Sequence, residues 1–173
     1  GQMLGSPNAD ARVAAATVQQ FWATTAAANN ETIEEKPTEK KKSGILSDTK
    51  DLTTIRIATI VEKMKYDTPE LTVKAGKKIK LTFANPDLMP HNIVLVNPGK
   101  LEAIATAAIA LGAEGFNVGF IPKSSDIIWA SKLIDHGKEQ VIEFTAPTKP
   151  GDYPYVCTFP GHHLLMRGVL HVK

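Results

Sequence analysis

The chain has 173 residues, of which 43% are apolar and 22% charged, with a net charge of +2. That length supplies one domain with a core and some residues to spare. The near-balance of 20 Lys+Arg against 18 Asp+Glu argues against a polyanion-binding surface, so no nucleic-acid partner is expected. No apolar run approaches the roughly 18–20 residues that span a bilayer, so no transmembrane segment is expected in this chain. No basic region followed by an apolar stretch opens it, so no signal peptide is expected either. The single cysteine excludes a disulfide scaffold and a Cys-only zinc or iron–sulfur site.

Residues 1–50 read as an N-terminal helix and a charged linker. Ala14, Val18, Phe21, Trp22 and Thr25 fall at helical spacing among many alanines, with Ser6-Pro7-Asn8 as a start and Asn29-Asn30 as a stop. Glu31 to Lys42 is charge-rich, contains Pro37 and has nothing to bury, so it reads as a solvated tether. From about residue 52 the period changes to two. Ile55, Ile57 and Thr59 alternate with Thr54, Arg56 and Ala58, a strand pattern. Leu71–Val73 and Ile79–Phe83 are further strands, joined through the turn Ala75-Gly76-Lys77. Ile93–Val96 is the next strand, closed by Asn97-Pro98-Gly99. Leu101, Ile104, Ala105, Ala108 and Leu111 then share a helix face that Gly112 ends. Phe116 to Ser125 reads as irregular. Strands resume at Ile127–Ala130, Val141–Phe144, Tyr153–Cys157 and Gly168–Val172. Residues 51–173 are therefore expected to form an all-β, antiparallel sandwich or barrel with one helical insertion.

The chemistry concentrates in Cys157-Thr158-Phe159-Pro160-Gly161-His162-His163-Leu164-Leu165-Met166. A thiolate, an imidazole and a thioether within ten positions are soft donors, suited to copper and poor for magnesium or calcium. Pro160-Gly161 forces a turn that brings Cys157 and His162 together. His91, at the start of an apolar strand, is the candidate second imidazole. The set His91, Cys157, His162 with Met166 as a weak axial donor is that of a blue-copper electron-transfer site. One Cys with two His also suits zinc, but the thioether does not. A cysteine hydrolase would leave Met166 and the Pro-Gly turn unexplained. His163 reads as a bystander, and neither His136 nor His171 is assigned to the site.

Cys157 to Met166, with four residues between Cys and His and three between His and Met, resembles the copper loop of azurin. Met64-Lys65-Tyr66 before Leu71-Thr72-Val73, and Lys132-Leu133-Ile134 before Val141–Phe144, extend the resemblance to azurin-like cupredoxins, including the auracyanin branch, over about residues 53–173. The resemblance implies a Greek-key β-sandwich with one type 1 copper per chain, no enzymatic activity, and one-electron transfer between Cu(I) and Cu(II). It implies His91, Cys157, His162 and Met166 as ligands. It implies backbone N–H groups of Asn92 and Phe159 aimed at the Cys157 sulfur, with Asn92 tying the two ligand loops together. Pro90 stands where azurins have glycine, so the carbonyl beside the metal is carried by a residue of fixed φ. The azurin disulfide is absent, since one cysteine cannot make it. Met64, Met89, Pro160, Gly161 and Leu165, with Pro90 and Phe159, match an apolar docking patch for a redox partner protein or domain such as a c-type cytochrome. The location implied is periplasmic or otherwise extracytoplasmic.

Two other functions remain open. A copper carrier or store would need a labile, exposed site. An oxidase or nitrite-reductase domain would need a further His-rich centre, for which five histidines leave few spare residues. Asn8 to Ala16 resembles the start of a HEAT-type repeat helix. That helix either ends an upstream domain of a larger redox protein, or packs on the sandwich or a neighbouring molecule.

Overall fold

The structure is a computed structural model and describes residues 42–173. The expected N-terminal helix, its HEAT-like start and nearly all of the charged tether lie outside the described residues.

Among the described residues, ten strands form two sheets. The first has the order β1 (Gly44–Asp48), β2 (Leu52–Ile60), β5 (Lys78–Asn85), β8 (Lys138–Thr145), with β3 (Lys65–Tyr66) also pairing with β2. The second has the order β4 (Glu70–Val73), β10 (Arg167–Val172), β9 (Gly151–Val156), β6 (Val94–Val96), β7 (Ile127–Ala130). The inner faces follow from the alternation. Ile55 and Ile57 of β2, Ile79, Leu81 and Phe83 of β5, and Tyr153, Tyr155 and Leu170 of the second sheet are all buried in one core. β8 alternates half-buried Ile142 and Phe144 with exposed Val141 and Glu143, as expected of an edge strand.

β6 breaks the alternation, because Val94, Leu95 and Val96 are all fully buried. Leu95 faces the main core, whereas Val94 and Val96 pack with Leu101 and Ile104 of α1 (Leu101–Ala110). A strand covered on both faces needs three consecutive apolar residues. α1 buries the face predicted from its spacing: Leu101, Ile104, Ala105 and Ala108. Gly112 then takes φ +54°, a conformation glycine adopts readily.

Three expectations change. The sandwich is not purely antiparallel, since β2 pairs in parallel with β5 and β4 with β10. These pairings join strands that are not linked by a direct hairpin, which local turn signals do not reveal. The stretch from Phe116 is not irregular throughout: a 3-10 turn at Gly112–Glu114 leads into α2 (Gly115–Val118), which ends on Gly119 in the left-handed region. β1 also lies in a segment read as tether, where Gly44–Asp48 runs antiparallel to β2 through a register shift. No single helix among the described residues is long and apolar enough to cross a membrane.

Candidate metal centre

Two connections build the site. The first crosses from β5 in one sheet to β6 in the other and carries His91. The second is the β9–β10 hairpin, which carries Cys157, His162 and Met166. They are bound to each other and to the sandwich. His91 exchanges backbone hydrogen bonds with Ile134, N–H to O at 3.1 Å and the return bond at 2.8 Å. The Asn92 side chain accepts the Thr158 N–H at 2.8 Å and donates to the Thr158 Oγ1 and the Gly119 carbonyl, each at 2.8 Å. The hairpin loop closes on itself: the Cys157 N–H donates to the Met166 carbonyl at 3.0 Å, and the Met166 N–H to the His162 carbonyl at 2.8 Å. Gly161, at φ +82°, makes the turn before His162.

These constraints converge three donor atoms. Cys157 Sγ lies 3.8 Å from His91 Nδ1 and 3.7 Å from His162 Nδ1, and the two nitrogens are 3.1 Å apart. Cys157 and His91 are completely buried and His162 is 3% exposed. An ion with bonds of about 2.0–2.1 Å to imidazole nitrogen and about 2.3 Å to thiolate, lying in the plane of three such donors, sets nitrogens about 3.6 Å apart and sulfur about 3.8 Å from each. The triangle fits that requirement, with the nitrogens slightly closer. It is the only group of three His, Cys, Asp or Glu donors among the described residues that converges in this way.

The model of the family "Copper binding proteins, plastocyanin/azurin family" matches residues 53–173. The chain belongs to this family. Auracyanin-A of Chloroflexus aurantiacus is 39% identical over 122 residues, covering 69% of this chain and 74% of that protein. Azurin of Pseudomonas aeruginosa is 31% identical over 120 residues, covering 65% of this chain and 80% of that protein. The crystal structure of dithionite-reduced auracyanin from Roseiflexus castenholzii superposes with a TM-score of 0.63 at 38% identity, covering 69% of this chain and 96% of that one. The fold is thus that of an azurin-like cupredoxin. Its cofactor is copper, for which His91, Cys157 and His162 are positioned as a type 1 site.

In this cupredoxin the site is electrostatically prepared for a metal. Burial pushes the Cys157 thiol up to about 11, although the backbone N–H groups of Asn92 and Phe159 hydrogen-bond its sulfur and favour the thiolate. Burial, with the neighbouring His91 ring, takes His162 down to about 4. Burial also lowers His91, against the opposing pull of Asp87. Burial therefore disfavours the protonated form of both rings, the form that cannot bind an ion.

The remaining predicted residues differ in burial. Met166 is fully buried in the core cluster that also contains Cys157. Pro90 is half-buried immediately before His91, and the Phe159 ring sits 4.8 Å from that of His162. Met64, Met89 and Leu165 are 37%, 43% and 53% exposed, and Pro160 and Gly161 are exposed as well. His163 is half-buried, and its carbonyl accepts a bond from Arg167 Nε. His171 is taken up by Asp152 and Glu70 on neighbouring strands.

Sequence reasoning missed three residues at the site. Asp87 Oδ2 lies 2.9 Å from His91 Nε2. Thr158 is the partner through which Asn92 joins the two loops. The Tyr66 hydroxyl donates to the Asn92 carbonyl at 2.7 Å from inside the core. A carboxylate four positions before a candidate ligand histidine was a usable signal for Asp87; the other two depend on contacts between distant segments.

Proposed function

We propose that this protein transfers single electrons through one type 1 copper held by His91, Cys157 and His162, with Met166 as axial donor, and is not an enzyme. Copper bound there would supply the Cu(II)/Cu(I) couple. The observation that carries the reading is one cysteine sulfur and two imidazole nitrogens converging in a buried pocket whose backbone is already hydrogen-bonded into place. The two chain segments fix the donors, so a change of charge on the ion asks little movement of them. The N–H groups of Asn92 and Phe159 at the sulfur withdraw electron density from it, which favours the reduced state.

The two imidazoles play different parts. His91 is wholly enclosed, whereas His162 is bordered by exposed Pro160, Gly161, Leu164 and Leu165. Electrons therefore pass at the His162 edge. Met64, Met89, Pro160, Gly161 and Leu165 form the apolar surface on which a redox partner such as a c-type cytochrome docks. Auracyanin A of Chloroflexus aurantiacus, a solved relative, is a "blue" copper protein from a green thermophilic photosynthetic bacterium, in keeping with this reading. An extracytoplasmic location follows from the same likeness, as does a copper module over residues 53–173, to which β1 adds a strand ahead of residue 51. A copper carrier needs exposed, labile donors, and the depth of these three argues against that role.

The test is an optical spectrum with metal analysis after copper addition. One copper per chain with intense visible thiolate-to-Cu(II) absorption is expected, and Cys157→Ala abolishes the absorption. A colourless wild-type protein, or a blue variant, overturns the assignment.

A further inference from the structure

Asp87 is 4% exposed, and its position in the fold is over-determined. Its Oδ1 accepts the backbone N–H groups of Glu62 at 3.0 Å and Leu88 at 2.8 Å. Its Oδ2 faces His91 Nε2 at 2.9 Å. Its own N–H donates to Asn85 Oδ1 at 3.1 Å, the oxygen that also accepts the Thr59 hydroxyl at 2.8 Å. Asn85 Nδ2 in turn donates to the Met89 and Ile134 carbonyls at 2.7 and 2.8 Å, and Ile134 is the residue bridged to the His91 backbone. Oδ1 thus takes two backbone N–H bonds, which favour the ionised carboxyl, and leaves Oδ2 to face the imidazole.

We propose that Asp87 is a positioning residue of the copper centre: its carboxylate fixes the proton of His91 on Nε2, turns Nδ1 towards the metal, and places a full negative charge one imidazole ring behind it. This rests on the copper reading above. Two consequences follow. The tautomer is set before metal arrives, because an acceptor-only group at Nε2 excludes the alternative with its proton on Nδ1. The charge also stabilises the oxidised site more than the reduced one, since the ion carries one more positive charge in that state. Asp87 therefore lowers the reduction potential, opposing the N–H groups aimed at the Cys157 sulfur. Because Oδ1 also holds the Glu62 N–H, the same side chain ties His91 to the β2–β3 turn carrying Met64, where Glu62 and Met64 both have positive φ.

The experiment compares wild type and Asp87→Asn by voltammetry of the copper-loaded proteins, with visible spectra as a check on the ligand set. Asparagine keeps the size and one acceptor but removes the charge. A retained blue spectrum with the Cu(I)/Cu(II) preference shifted towards Cu(I) on the order of tenfold, about 59 mV upward for one electron, is expected. An unchanged or lower potential overturns the inference. If Asp87→Asn fails to fold or load, the wild-type zinc-loaded protein decides by nitrogen-15 imidazole spectra. A slowly exchanging His91 Nε2–H with a strongly downfield proton supports the inference, and a proton in fast exchange overturns it. A wild-type protein that never turns blue fails the functional reading instead, which separates the two outcomes.

Discussion

Metal uptake should release one proton, and its pH dependence reports which donor supplies it. The perturbation is a change from about pH 6.5 to about pH 8.5, where the unperturbed groups would behave differently from these. With its thiol pushed up to about 11, Cys157 is protonated across the whole window and must lose that proton to bind. His162, down at about 4, has none to lose, and burial shifts His91 in the same direction. The sign is then fixed: apparent affinity rises with pH, about tenfold per unit and about a hundredfold over the window, equivalent to about 2.7 kcal/mol. Three donors with ordinary values would instead steepen towards acid, as the rings near 6.5 begin to add protons, and flatten near 8.5 as the thiol ionises. Calorimetric titration with redox-inert Zn²⁺, in buffers of differing protonation enthalpy, counts the protons directly. One proton at both ends of the window is expected. Two or more near pH 6.5 would mean that the rings are not held neutral. Fewer than one at pH 8.5 would mean that the sulfur donors outweigh burial, and either result refutes the account of the site's electrostatics.

Met166→Leu removes a weak thioether donor that favours the oxidised ion, so the copper-loaded variant should stay blue with a raised potential by voltammetry; an unchanged or lower potential contradicts the axial role. Gly168→Ala should cost about 1–3 kcal/mol in urea unfolding, because a Cβ there would come within 2.3 Å of ring atoms of buried Tyr155. Tyr155→Leu in the Gly168→Ala background should recover part of that loss relative to the summed single changes, and strict additivity would refute the clash.

The legible parts of this molecule were those whose cause is local. Alternation of Ile55 and Ile57, or of Ile79, Leu81 and Phe83, reflects the two-residue period of any strand with one buried face. The face of α1 reflects the helical period in the same way. The hairpin ligands were legible because Cys157, His162 and Met166 share one loop, and His91 because the donor set lacked an imidazole. β1 was obscure because Gly44–Asp48 is short, has mostly exposed side chains and sits beside a charged tether, so no burial pattern marks it. The parallel pairs β2–β5 and β4–β10 were obscure because register between non-adjacent strands is set by the packed sandwich. Asp87 is obscure for a related reason: it sits beside Pro86 in a connection, and its own Leu88 N–H bond is local turn chemistry, so only the packed fold shows that it also faces His91.

The two ligand segments differ in what fixes them, and that division explains how the site keeps its shape. The β9–β10 hairpin is closed by its own bonds between Cys157, His162 and Met166, so its spacing alone determines where the sulfur and the second imidazole fall. The crossover has no partner strand at His91 and borrows its rigidity instead: from Ile134 through the paired backbone bonds, from Asn85 through Met89, and from Asp87 through the ring. Asn92 then joins the borrowed frame to the self-contained one through Thr158. Polar groups buried this deeply would be costly if any were unpaired, so each bond supports the next and loosening one partner exposes several others. A site assembled in this way yields little when the charge on its ion changes by one, which is the mechanical property that fast electron exchange requires.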